Sequence, residues 1–154
     1  ATKLMMSEFS LSDAVLDTAE PFKAVAQAKD KKLEINVDEG ISYVGDEKAI
    51  RQLISILLDN AMKYSESSIS ITLKTSGRNR MITVWNTVDE SANIKKGRQD
   101  ILFERFYRAD PSHNSKTGGF GIGLSAAYAI VRAHKGKISA RSEDGRSIEF
   151  MIVL

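Results

Sequence analysis

Asn60, Lys63 and Tyr64 close a segment whose apolar residues recur at helical spacing. Asn60 falls three residues after Leu57 and six after Ile54, at the border of the apolar stripe, and Lys63 and Tyr64 follow one turn later on the same side. An amide oxygen is a hard, neutral ligand suited to a Mg²⁺ ion already held by phosphates, and a nearby lysine supplies a point charge for those phosphates. A second stretch, Gly118-Gly119-Phe120-Gly121-Ile122-Gly123-Leu124-Ser125, opens a helical pattern. Free backbone N–H groups and the helix dipole favour phosphate there, and glycines let the backbone come close. It lacks the Gly-Lys-Ser/Thr ending of a Walker loop, and polar chain rather than a strand leads into it, unlike a dinucleotide fingerprint. In a third stretch, Phe103-Glu104-Arg105-Phe106-Tyr107-Arg108-Ala109-Asp110, the two phenylalanines can dock a short helix while Arg105 or Arg108 faces a phosphate. Each stretch alone also fits something bland: a solvated helix end, a glycine-rich turn, an amphipathic helix. Specificity comes only from the three together.

These groups need elements to position them. Leu11, Val15, Leu16, Ala19, Phe22, Val25 and Ala26 read as one helix, with Ser10 or Ser12 able to cap it. Leu33, Ile35 and Val37 alternate as a strand, a turn follows at Glu39-Gly40, and Tyr43-Val44 reads as a short second strand. Asp46 is a suitable N-cap for the helix carrying Ile50, Leu53, Ile54, Leu57, Leu58 and Ala61. Ile69, Ile71 and Leu73 alternate, and a turn at residues 76–79 leads into a further strand ending near Trp85. Residues 86–121 are mostly polar, a length of irregular chain that is usually functional or mobile inside a compact domain. Residues 124–134 read as a helix stopped by Gly136, and Asp144-Gly145 joins a final pair of strands. Hairpin-like strand pairs separated by helices predict an α+β sandwich with helices on one face of a mixed sheet.

At 154 residues, of which 42% are hydrophobic, the chain fits one domain with its own core. A net charge of +2 is too slight to point to nucleic acid or an anionic membrane as partner. The absence of cysteine excludes a disulfide scaffold and thiolate metal sites. No apolar run is long enough to span a bilayer, and residues 1–9 carry no apolar signal-peptide core.

In order and spacing, the three stretches resemble the N, F and G2 boxes of the histidine-kinase branch of the GHKL ATPases, the superfamily of gyrase B, MutL and the heat-shock chaperone. The resemblance runs from about Phe9 to Leu154, with residues 1–8 expected to be a linker remnant from an upstream helical dimerisation domain and residues 9–154 the ATP-binding catalytic domain. It implies a Bergerat fold: a two-layer sandwich, mostly antiparallel, with three helices on one face and a long ATP lid over residues 107–120. It implies ATP and Mg²⁺ as cofactors, Asn60 on the metal, Lys63 on phosphate, Tyr64 near the adenosine and Arg108 on the γ-phosphate. Asn60, Lys63 and Arg108 are then the catalytic set. Gly119, Phe120, Gly121, Ile122, Gly123 and Leu124 form the phosphate turn.

Two positions depart from the family pattern. A second Asn commonly stands one turn before the first, where this chain has Ile56, and the hydrolase and serine-kinase branches hold a Glu base there. Ile56 cannot take a proton, which counts against those branches but less against transfer to an imidazole, itself nucleophilic near neutral pH. The Asp-x-Gly-x-Gly box is missing as well, with only Asn86-Thr87-Val88-Asp89-Glu90 in its place. The family Asp meets the adenine amino group. Asp89 keeps the usual distance to Phe103, whereas Asn86 continues the inward parity of Ile82 and Val84, so Asn86 is expected to take that role. Its oxygen can accept from the amino group while its NH₂ donates to a ring nitrogen.

Neither His113 nor His134 has the surroundings of a phosphoacceptor; His113 reads as solvated and His134 as structural, favoured by a helix C-terminal dipole. The expected function is to bind Mg-ATP and pass its γ-phosphoryl group to a histidine on a separate helical domain of the same protein, with a response regulator downstream. The domain is expected in the cytoplasm, outside the membrane, in a membrane-anchored sensor. The alternative is a degenerate GHKL module that binds nucleotide or protein without turnover.

Overall fold

The computed structural model describes residues 3–99 and 123–154. Along the chain these form β1 (Ser7–Ser10), α1 (Leu11–Ala19), α2 (Phe22–Ala28), β2 (Lys32–Val37), β3 (Ser42–Gly45), α3 (Glu47–Tyr64), β4 (Ser68–Ser76), β5 (Asn79–Thr87), β6 (Gly97–Arg98), α4 (Gly123–Ala133), β7 (Lys137–Ser142) and β8 (Ser147–Val153). The main sheet has six strands in the order β2-β4-β5-β8-β7-β6, with β2 parallel to β4 and the other neighbours antiparallel. The expected α+β class and mixed sheet are what the chain adopts.

Strand alternation builds the buried face. Ile71 on β4 sits beside Val84 on β5, which sits beside Phe150 on β8, and the neighbouring rows are Leu73–Ile82–Ile152 and Ile69–Asn86–Ile148. All nine residues are buried, and the residues between them along each strand are more exposed. Leu53, Leu57 and Leu58 of α3, Leu124 and Val131 of α4, and Leu11 and Val15 of α1 join these strands in one core. Burying the aliphatic side chains contributes roughly 1.5–3 kcal/mol each.

The local signals for α3 and the two hairpins hold. Asp46 caps α3 by accepting the Ala49 N–H at 3.1 Å. The α4 stop works differently from a glycine in the left-handed region: Lys135 takes that conformation (φ 61). Gly136 is needed for closeness, since a β-carbon there would lie 2.7 Å from the Val153 carbonyl oxygen.

Two expectations fail. The first helix is broken: Glu20 N–H still bonds to Leu16, but Pro21 has no N–H to continue, and the chain restarts as α2. Ser10, not Ser12, is the cap of α1. Strands β2 and β3 do not form a hairpin. Ser12 Oγ donates to the Asp38 carbonyl at 2.6 Å and accepts the Ile41 N–H at 2.9 Å, which ties residues 38–41 to the start of α1. This directs β3 away from the main sheet to pair with β1, a strand that begins at Ser7, inside the segment expected to be linker. The two-residue strand β6 was not foreseen either; its pairing with β7 leaves no periodicity to read.

Candidate functional site

The last turn of α3 carries the first group of candidates. Asn60 is only 8% exposed, although it borders the stripe rather than lying inside it, and its Nδ2 is buried with no hydrogen-bond partner among the described residues. Lys63 points outward and pairs with Asp59 at 3.2 Å across an exposed i, i+4 contact. Tyr64 packs partly buried against the core. The helix stops because Ser65 turns to extended backbone (ψ 149). Lys31 holds the open end, its Nζ donating to the carbonyls of Met62 at 2.7 Å and Ser65 at 2.8 Å. Burial, and then the charge of Lys29, hold the Lys31 pKa below the ordinary lysine value.

The end of β5 carries the second group. Asn86 follows Ile82 and Val84 inward and is fully buried between Ile69 on β4 and Ile148 on β8. Its Nδ2 donates to the Thr87 carbonyl at 2.8 Å, and its Oδ1 has no partner among the described residues. That carbonyl also accepts the Glu66 N–H at 2.9 Å. Thr87 Oγ1 accepts from the Ser67 and Ser68 N–H groups, both at 3.0 Å. Thr87 thus stitches the chain leaving α3 to the end of β5, which brings the Asn60–Tyr64 turn and Asn86 to one edge of the core. Asp89 is exposed and caps the short 3-10 turn Glu90–Ala92, accepting the Ser91 N–H at 3.3 Å.

Of the glycine stretch, the described part is Gly123, the first residue of α4, Leu124, which is buried, and Ser125. Ile56 is the neighbour of Gly123, so the departure at that position places an apolar side chain at the α3–α4 contact beside the start of α4. Arg108, Gly119, Phe120, Gly121 and Ile122, His113 and the whole of 107–120 lie outside the described residues.

His134 is structural, though not through a charge on the helix dipole. Its Nε2 accepts the Asp46 N–H at 3.0 Å and its Nδ1 meets the Ile130 carbonyl at 2.8 Å, an arrangement that requires a neutral ring with the proton on Nδ1. The Asp46 carboxyl is held below the ordinary carboxylate value by N–H donors from Met5 and Ala49.

Residues 45–154 match the family described as histidine kinase-, DNA gyrase B- and HSP90-like ATPases. The chain belongs to that family. This ATPase domain is of the sensor-kinase kind: it is 36% identical over 144 residues to the sensor protein DltS of Streptococcus agalactiae, covering 92% of this chain and 35% of DltS. It is 43% identical over 108 residues to the sensor histidine kinase YkoH of Bacillus subtilis, covering 70% of this chain and 23% of YkoH. The chain therefore spans about a third or less of these relatives. The nucleotide-free catalytic domain of the histidine kinase ThkA superposes with a TM-score of 0.76 at 19% identity, covering 97% of this chain and 94% of that one. Full-length ShkA in complex with AMPPNP superposes with a TM-score of 0.76 at 22% identity, covering 99% of this chain and 31% of that one. These two likenesses bear on the fold of the ATPase domain. No helix among the described residues is long and apolar enough to cross a membrane.

Lys31 and Thr87 escape sequence reading. Lys31 acts across 31 and 34 residues of chain on two carbonyls, and backbone acceptors leave no mark on residue types.

Proposed function

We propose that this domain binds Mg-ATP and presents the γ-phosphoryl group to a histidine on a separate helical domain of its parent protein. The observation that carries this is a pair of buried side-chain amides without a hydrogen-bond partner among the described residues, Asn60 Nδ2 near the end of α3 and Asn86 Oδ1 at the end of β5. A buried unpaired polar atom costs roughly 1–3 kcal/mol, which a ligand that pairs it recovers. Asn86 Oδ1 suits the adenine amino group. Asn60, near the end of α3, would hold the Mg²⁺ ion through its amide oxygen and leave Nδ2 to donate to a phosphate oxygen, and the ion would offset charge on the phosphates when bound. Lys63, once released from its weak surface pair with Asp59, adds a mobile positive charge for the phosphates. Arg108 takes the γ-phosphate, and the start of α4 at Gly123 adds the positive end of its helix dipole. The imidazole nitrogen of the acceptor attacks the γ-phosphorus as the bond to the β–γ bridging oxygen breaks, and ADP leaves. Ile56 supplies no base, which suits an acceptor that needs none. The parent is a sensor that passes the phosphoryl group on to a response regulator, with this domain on the cytoplasmic side.

The test is phosphoryl transfer from γ-labelled ATP. The chain alone should take up no label, and adding the histidine-bearing helical domain of its parent should place label on that domain. Label found on His113 or His134 would overturn the reading. ATP binding with no transfer to the added domain would favour a binding module without turnover.

A further inference from the structure

Asn86 is amphoteric in principle, since a free amide can turn either its oxygen or its nitrogen to a ligand. Here one end is already committed. The Thr87 carbonyl can only accept, and its two bonds come from Asn86 Nδ2 at 2.8 Å and from Glu66 N–H at 2.9 Å. Reversing the amide would set two buried oxygens against each other. The side chains of Ile69 and Ile148 on either side are apolar and do not offset that cost. The carbonyl cannot swing away either, because the Ser67 and Ser68 N–H groups bind Thr87 Oγ1 and Val88 N–H bonds the Arg146 carbonyl.

We infer that Thr87 is a positioning residue that locks the Asn86 amide with its oxygen free, so that the site takes 6-amino purines and rejects 6-oxo purines. This rests on the reading of Asn86 as the base contact. An adenine amino group donates to Oδ1. A 6-oxo purine sets its own carbonyl against Oδ1, two acceptors with no proton between them. The lock also means that an Asp at this position, the residue common in the family, does not substitute freely here. Its second carboxylate oxygen would face the Thr87 carbonyl in a fully buried position. Only the protonated carboxyl could donate to Thr87 and keep the other oxygen for the base.

The experiment measures Kd for ATP and for inosine triphosphate, with Mg²⁺, on the wild-type chain, Asn86→Ala, Asn86→Asp, Thr87→Val and Thr87→Ser. The wild type should prefer ATP by about tenfold or more. Wild-type protein that binds both nucleotides alike overturns the inference without any substitution. Asn86→Ala should bind ATP about tenfold more weakly and lose the preference. Relative to wild type, Asn86→Asp should bind ATP about tenfold more weakly near about pH 8 and recover towards about pH 5.5, as burial keeps the introduced carboxyl protonated. Thr87→Val, which removes the acceptor for Ser67 and Ser68, should narrow the preference, and Thr87→Ser should keep it. If Asn86→Ala changes nothing, Asn86 is not the base contact and both readings fall. If Asn86→Ala weakens binding but Asn86→Asp matches wild type at every pH, the base contact stands and the lock is wrong. A Thr87→Val variant that folds and keeps the full preference also refutes the lock.

Discussion

Ile56 packs against Gly123 where α3 meets α4: a β-carbon built on Gly123 would lie 3.2 Å from Ile56 Cγ2. Ile56 is β-branched and sits inside a helix, so its χ1 has little freedom to retreat. Gly123→Ala should therefore weaken ATP binding by moving the start of α4, even though alanine is the better helix former. In an Ile56→Ala background the same change should cost less. Calorimetry on the four proteins should give a coupling of at least about 0.5 kcal/mol, and simple additivity would show that the two residues do not constrain one another.

Asn60 sets stability against function. Its buried Nδ2 has no partner among the described residues, so Asn60→Leu should raise the thermal midpoint of nucleotide-free protein, by about 1 kcal/mol of stability. The same variant should lose the Mg²⁺ dependence of ATP binding. Titrations with and without Mg²⁺ check the second half, and an undiminished Mg²⁺ effect removes Asn60 from the metal.

Lys31 closes the C-terminal end of α3 through Met62 and Ser65. Lys31→Met keeps the alkyl stem but leaves both carbonyls without that donor. A stability loss of about 1–3 kcal/mol should follow in urea melts. Because the loosened turn holds Asn60 and Tyr64, ATP affinity should fall too, and amide exchange at residues 62–66 should speed up. Unchanged exchange there would mean that the turn holds without Lys31.

The Asp46 carboxyl ties two parts of the fold, accepting Met5 N–H through one oxygen and Ala49 N–H through the other. Its folded pKa lies below the ordinary value of 3.8, so its contribution is complete above that value and is lost as pH falls through the folded one. Asp46→Asn cannot titrate. Wild type should be the more stable above about pH 5, and the difference should shrink as acid protonates Asp46. Asp144, whose pKa is also lowered, is present in both proteins and drops out of the comparison. A gap that does not change with pH would show that the carboxylate charge contributes nothing.

What the sequence determined by itself is what local physics writes into nearby residues. The 18-residue α3 shows as a 3.6-residue stripe with an Asp in front, β4 and β5 show as alternation around a short turn, and the inward parity of Asn86 follows from counting two residues on from Val84. The family was legible too, because boxes of residues in order survive without any knowledge of contacts. Pro21 can break a helix, a local signal that the single-helix reading of the residues on both sides of it left unused. Partnership was left to the tertiary structure. Whether β3 pairs with β2 or with β1 depends on Ser12 holding residues 38–41, a choice between backbone groups that are chemically identical along the chain. The same reason hid Lys31 and the Thr87 carbonyl. Every residue but proline carries the same N–H and C=O, so only the fold decides that Thr87 receives the Asn86 amide, and with it which end of that amide is left for a ligand.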